Sequence, residues 1–406
     1  MDKIFLLLGG NILNFGIYQK FKNKGYKVYV VDWNENPQIK GDKHYQLDVK
    51  DSESIIKDLK EDNILNQVEF AYSSIDLAVP SVARVNKALG LNVISDDALK
   101  FATSKSMMTS QWAKDGILNR ISEKYNEFSN DICDLNKKMK LIIKPDNSAS
   151  SRGITIITKN SDEEFIKNAF EKAKKEATNS TVVVEEFVDG TEFTVEMLGD
   201  KFGNVSVYAM SRKTHTQNTS NNKIAVKLHY NSVSDELQNK IADFAIKCYK
   251  SLGFSSSLGH LEILLKEDGT ISPVEIGARS SGFIASDLVD IASGRDFLGD
   301  LEKIYKGEKT QNGLMPQTEN SSMYFFYDFP SGTTVKKECN LLDFTDKSIK
   351  SRYSNRSNLV LGKSFENIDN DNARLGFEIL EGPKKIMTRD YINEKEQEFL
   401  KELLGV

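Results

Sequence analysis

Two stretches of the chain decide how the rest is read: Gly259-His260-Leu261-Glu262-Ile263 and Pro273-Val274-Glu275-Ile276-Gly277-Ala278-Arg279-Ser280-Ser281-Gly282. Both are β-rich, and the Asp268-Gly269 pair between them is a tight-turn signal, so they predict adjacent antiparallel strands over His260 to Leu265 and Thr270 to Ile276. Such a hairpin can bring Glu262 and Glu275 together. Neighbouring carboxylates repel unless a cation lies between them, and hard oxygen ligands suit Mg2+, which takes one or two carboxylates plus substrate phosphates. Arg279, one of ten arginines in the chain, follows in a glycine-flanked loop, where it can grip a phosphate or carboxylate with two hydrogen bonds. As isolated residues, the same acids read as solvated strand positions.

Upstream, Lys144-Pro145-Asp146-Asn147-Ser148-Ala149-Ser150-Ser151-Arg152-Gly153 places a lysine at the end of an apolar strand, before a loop of small polar residues. Such a loop folds backbone N–H groups over phosphates while the lysine adds a point charge, although a plain solvated hairpin has the same composition and no Walker-type GxxxxGK[ST] is present. Val182-Val183-Val184-Glu185-Glu186-Phe187-Val188 then combines an apolar slot for a flat base with flanking acids. Glu192, past the Asp189-Gly190 turn, is placed to accept ribose hydroxyls, and a charged surface hairpin is the alternative. An amphipathic helix is predicted over about Asp162 to Ala177, between strands Gly153 to Thr158 and Val182 to Val188. The polar segment Ser211 to Asn218 is expected as a loop that either lines the acceptor site, with Arg212 or His215 reading a carboxylate, or is simply solvated. His260 is two residues from Glu262 on one strand face, which makes it either an acid–base group or a partner of that acid.

The first hundred residues alternate β-rich runs with amphipathic stretches, the rhythm of βαβ units and a parallel sheet. Gly9, Gly10 and Gly16 miss the dinucleotide spacing and read as a tight strand-to-helix turn, with Asp32 closing the second strand. Gln311 to Ser322 is a polar boundary with Gly and Pro. Beyond it the chain reads as strand-rich, closed by a helix over Glu394 to Leu404.

Composition narrows the function classes. The 406 residues are 39% hydrophobic and 28% charged, with a net charge of −5, which is globular rather than disordered or disulfide-stapled. No block of like charge calls for nucleic acid or an anionic membrane. Three dispersed cysteines without CxxC fit a reducing cytoplasm, and four scattered histidines leave no zinc cluster. The apolar run Ile4 to Leu8 is too short to span a bilayer and reads as a buried first strand.

The order and spacing of these elements resemble the ATP-grasp superfamily over nearly the whole chain, and within it L-amino-acid ligases and carbamoyl-phosphate-synthase-like carboxylate-amine ligases. The resemblance implies a mixed α/β and α+β architecture: a parallel-sheet preATP-grasp domain over 1–102, a two-lobed ATP-grasp domain over 103–318 with a mobile small lobe at about 139–190, and a strand-rich C-terminal lobe over 319–406. It implies ATP contacts from Lys105, Lys144, Ser150, Ser151, Gly153, Glu185, Glu186, Phe187, Val188 and Glu192. Glu262 and Glu275 are implied as ligands of Mg2+, with Mn2+ as an alternative, and Arg279, Lys144 and Arg152 as catalytic residues. The implied reaction activates a small carboxylate as an acyl phosphate and joins it to an amine, releasing ADP and phosphate. A carbamoyl-phosphate chemistry and a non-catalytic ATP-binding regulatory module are the alternatives. The implied protein is a cytoplasmic enzyme of small-molecule substrates, with room for a homodimer. Gly277 stands where many members have a metal-binding Asn, and the flap has a single glycine, Gly153.

Overall fold

A computed structural model describes residues 3–148, 151–219, 222–282, 285–338, 342, 344, 346–357, 359–374 and 376–405. Strands β1 (Ile4–Leu8), β2 (Lys27–Asp32), β3 (Lys43–Gln46) and β4 (Val68–Tyr72) form a parallel sheet in the order β3-β2-β1-β4. The central strand β1 is buried along its whole length, as its unbroken Ile-Phe-Leu-Leu-Leu run requires of a strand covered on both faces. Its glycine turn is tied to the second strand, because the Gly10 N–H donates to Asp32 Oδ2 at 2.7 Å. Asp32 thus serves the turn.

A second sheet, of order β5-β8-β6-β7, contains β5 (Ser122–Tyr125), β6 (Leu141–Pro145), β7 (Thr155–Ile157) and β8 (Val182–Glu186). Strand β7 is shorter than the expected 153–158. Gly153, at φ +73°, is still in the turn, and a Cβ there would crowd Glu176 and Pro145. The helix Glu163–Glu176, capped by Asp162 on the Phe165 N–H, packs on this sheet around its own core of Ile143, Ile157, Phe170 and Val184.

The third sheet is continuous from the centre of the molecule to its C-terminal part. It runs β13-β12-β9-β10-β11-β15-β17-β16, formed by β9 (Thr191–Gly199), β10 (Val205–His215), β11 (Ala225–Tyr230), β12 (Ser257–Leu265), β13 (Ile271–Gly277), β15 (Asn320–Phe326), β16 (Lys350–Asn355) and β17 (Phe377–Pro383), with the short β14 (Gly313–Leu314) beside β10. Because β15 pairs with β11, the strands expected as a separate C-terminal lobe share one sheet with the residues before 319. The terminal helix is Arg389–Leu404, beginning five residues earlier than its sequence suggests, since Thr388 caps it by accepting the Tyr391 N–H. One face of the sheet packs on the N-terminal domain, joining Phe5 and Phe70 to Tyr208, Phe297 and Phe326 in one core. The helices Lys105–Lys114 and Asp235–Ser251 cover the other face around Phe193, Trp112 and Tyr249. No helix among the described residues is long and apolar enough to cross a membrane.

Candidate active site

Strand alternation builds the site. Successive side chains on a strand point to opposite faces, so Phe193 and Val195 enter the apolar core behind the sheet while Glu192, Thr194 and Glu196 face forward. Ser211, Lys213 and His215 do the same on β10, as do His260 and Glu262 on β12. The expected loop over Ser211 to Asn218 is therefore strand as far as His215. Its polar residues are tolerated in a strand because each front-facing one finds a charged or hydroxyl partner.

Glu262 and Glu275 are direct cross-strand partners of β12 and β13, as the turn between them predicts. Each carries a lysine. Lys105 Nζ lies 2.9 Å from Glu275 Oε2, and Lys213 Nζ bridges Glu262 at 2.6 Å and Glu192 at 2.5 Å. Burial opposes ionisation of Glu262, but the Lys213 charge outweighs it and holds the carboxyl at about 2. Glu192 and Glu275 are likewise held below the usual carboxylate range against burial, by Lys213 and Lys105 respectively. His215 Nε2 is 3.0 Å from Glu192 Oε2. Glu192, expected to be open to ribose hydroxyls, is thus already shared by the Lys213 ammonium and the His215 ring.

His260 sits between two acids, its Nδ1 2.7 Å from Glu196 Oε1 and its Nε2 3.5 Å from Glu262 Oε1. Burial alone would lower its pKa, yet the buried Glu196 carboxylate raises it to about 9, so His260 is a cation at neutral pH. A protonated ring cannot be a general base and instead orients Glu262. Glu196 also accepts the Ser281 N–H at 3.2 Å, which fixes the start of the loop after Arg279.

Lys144 ends β6, 3% exposed, with Nζ 2.9 Å from Glu185 Oε1. Glu185, expected at the adenine hinge, points inward from β8 and serves two cations, since Arg120 also donates to its Oε2 at 2.9 Å and 3.2 Å. One anion between two cations stays ionised, at about 2, despite complete burial. Lys144 is pulled below the ordinary amine range, by burial first and then by Arg120 and Lys105, against the attraction of Glu185. Asp146, two residues on, is buried and receives the Ser106 N–H at 2.7 Å and the Ser104 hydroxyl at 2.9 Å. It therefore ties β6 to the first turn of the helix that begins at Lys105, whose own N-cap is Ser104. Lys105 Nζ also donates to the Ser148 carbonyl at 3.1 Å, tying the predicted flap to the acid pair.

The other predicted flap residues divide. Ser150 lies outside the described residues. Ser151, at φ +56°, has its carbonyl 3.2 Å from Asn222 Nδ2, and Arg152 is on the exposed side of the β6–β7 connection. Glu186, Phe187 and Val188 leave β8 as a hinge: the Glu186 and Phe187 N–H groups donate to the carbonyls of Ile121 and Lys140. The Phe187 ring carries the ammoniums of Lys140 and Lys223 at 3.9 Å and 4.8 Å from its centroid. Arg279 is gripped from the N-terminal domain by Asp76, 2.5 Å and 2.7 Å between paired atoms. Sequence reasoning missed Arg120, Asp76 and Glu196. Only the scarcity of arginine pointed to the first, because all three reach the site through long-range packing.

Residues 137–287 match the model of the ATP-grasp domain. A 158-residue stretch is 27% identical to the D-alanine--D-alanine ligase of Cupriavidus pinatubonensis, covering 38% of this chain and 46% of that protein, less than half of its length. The fold is shared with the L-amino acid ligase of Bacillus licheniformis, at a TM-score of 0.72 and 17% identity over 99% of this chain and 98% of the other. It is shared too with the biotin carboxylase domain of the 2-oxoglutarate carboxylase of Hydrogenobacter thermophilus, solved with magnesium ADP, at a TM-score of 0.69 and 15% identity over 94% of this chain and 87% of the other.

Proposed function

The chain carries an ATP-grasp domain within an ATP-grasp fold, and from that premise we propose that it is an ADP-forming carboxylate-amine ligase of the cytoplasm. Its proposed reaction makes an acyl phosphate from a small acid and ATP, then joins the acyl group to an amine. The observation that carries this reading is the cross-strand Glu262–Glu275 pair, faced by Lys105, which also holds the flap carbonyl of Ser148. A mere fold relic has no use for two ionised acids placed side by side.

The acid pair fits a hard divalent cation such as Mg2+. Both carboxylates are ionised oxygen donors, and among the described residues no group of three or more His, Cys, Asp or Glu is arranged to hold a metal, so further ligands would come from phosphate or water. When bound, the ion would neutralise charge on the nucleotide phosphates. Lys105 and Lys144 would supply fixed positive charge to the same oxygens, and because phosphoryl transfer asks little covalent work of a protein, this placement is the main catalytic contribution. Phe187 and Val188 at the hinge would take the base, and Glu192 the ribose once Lys213 and His215 share it. Arg279 would hold the transferred phosphoryl group or the acyl phosphate, with Asp76 presenting its guanidinium. The Ser148 to Gly153 connection, with Ser151 and Arg152, would exclude water from the labile acyl phosphate. The names of two relatives, those of amino acid ligases, support an amino acid as the activated acid.

The test is a hydroxylamine trap with parallel ADP release, run with Mg-ATP against pooled amino acids and other small acids. Hydroxamate formed with an equal amount of ADP from one pool is the expected result. In Glu275→Gln that turnover should fall at least a hundredfold while nucleotide binding falls less. ATP binding without either product from any pool overturns the ligase reading, and undiminished activity in Glu275→Gln overturns the metal assignment.

A further inference from the structure

Arg212, one of the two residues offered as reading a substrate carboxylate, is on the other side of the sheet. Alternation along β10 sends Lys213 forward and Arg212 back, opposite His229 of β11. There Arg212 joins Thr214, Lys227, His229, Arg389 and Asn393 around a small pocket between the sheet and the first turns of the helix Arg389–Leu404. Lys227 and His229 form its buried floor, Arg212 is half-buried in its wall, and Arg389 lies exposed at its mouth.

The charge in this pocket is only partly compensated. Lys227 is paired with the buried Glu396 at 2.5 Å. Arg279 and Arg120, by contrast, each meet an acid, Asp76 and Glu185, although the partly buried Arg295 has no ion pair with a described residue. Arg212 and Arg389 have no ion pair with any described residue, and they repel each other, as the downward pull of burial and then of Arg389 on Arg212 records. His229 donates from Nε2 to Ser321 Oγ at 2.8 Å, since that hydroxyl gives its own proton to the Tyr230 carbonyl. Two guanidinium forks, a hydroxyl at Thr214 and an amide at Asn393 around one small cavity form a donor-rich set with a net positive charge.

We propose that this pocket binds a phosphate-type oxyanion, on the face of the sheet turned away from Glu262 and Glu275. Such an anion neutralises the positive charge that Arg212 and Arg389 bring to the pocket, and the two sources of that chemistry are free phosphate and the phosphate of a small monoester. The site is independent of the ligase reading.

Inorganic phosphate titrated into the full chain by calorimetry, at constant ionic strength set with chloride, tests the proposal. Saturable binding that weakens at least tenfold in Arg212→Gln is the expected result, with nucleotide binding unchanged. Arg389→Glu supplies a variant that keeps its fold, because the new acid pairs with Arg212 and suits the first turn of a helix. It should melt higher than the parent without phosphate and lose the rise in Tm that phosphate produces. A parallel titration with glycerol 3-phosphate separates the sources: tighter binding than phosphate identifies a monoester, weaker binding the free ion. Phosphate binding that is absent, or equal in the parent and both variants, overturns the proposal.

Discussion

Glu185 is a single carboxylate, 2% exposed, that neutralises both Lys144 and Arg120. Removing one partner from a buried ion pair leaves an uncompensated charge, which costs about 3–5 kcal/mol. Glu185→Gln is therefore expected to lose about that much stability at pH 7 in chemical denaturation, and to bind ATP more weakly because Lys144 is no longer held in place. The pH dependence has a definite sign. A carboxyl whose pKa falls from 4.5 to about 2 on folding stabilises the protein fully above pH 4.5 and loses that contribution as pH falls through about 2. The Tm difference between parent and variant should narrow across that window, and a difference that stays constant from pH 7 to pH 3 would contradict the ion-pair account.

At the scale of elements, β10 is the strand on which two sites depend. Its period of two presents Ser211, Lys213 and His215 to the acids of β9 and β12, and Arg212 and Thr214 to the terminal helix. A one-residue slip would exchange the two sets and bury Arg212 among carboxylates. Lys213→Met removes the cation shared by Glu192 and Glu262. The two carboxylates then repel, and the variant should melt well below the parent in chelator. Millimolar Mg2+ should restore more of that Tm in the variant than it adds to the parent, because the ion takes over the neutralisation that Lys213 provided. Equal Mg2+ responses in the two proteins would argue against a cation site beside Glu262.

Across the whole molecule, cores divide the chain differently from the sequence boundaries. One apolar core joins the N-terminal sheet, the central sheet and Phe377 of its C-terminal part, whereas β5 to β8 close around a separate small core. The small lobe is tied to the rest at the site by polar contacts such as Lys105 to Ser148 and Ser104 to Asp146. Hydrogen exchange is expected to show β6 and β8 opening as a unit at lower free energy than β9 and β12, with Mg-ADP slowing the first pair selectively. Uniform exchange over both sheets would contradict a lobe that opens on its own.

Local pattern was enough for much of this protein. The unbroken apolar run of β1, the Asp268-Gly269 turn and the period-two alternation around Glu262 and Glu275 are short-range signals, and they specified the parallel sheet and the carboxylate pair without reference to anything distant. Lys105, Lys144 and Phe187 were singled out because their order along the chain follows a familiar plan. Partners were not legible. Glu185 and Glu192 looked like free acceptors, yet buried carboxylates must be compensated, and which cations reach them depends on where β6, β10 and the segment leading into β5 come to rest. Arg212 and Lys213 are neighbours in sequence and face opposite sides of a sheet, a division only the packing of both faces could make. Covalent neighbours set the elements, but charge neutralisation in a low-dielectric interior is settled by proximity in space, and that belongs to the tertiary structure alone.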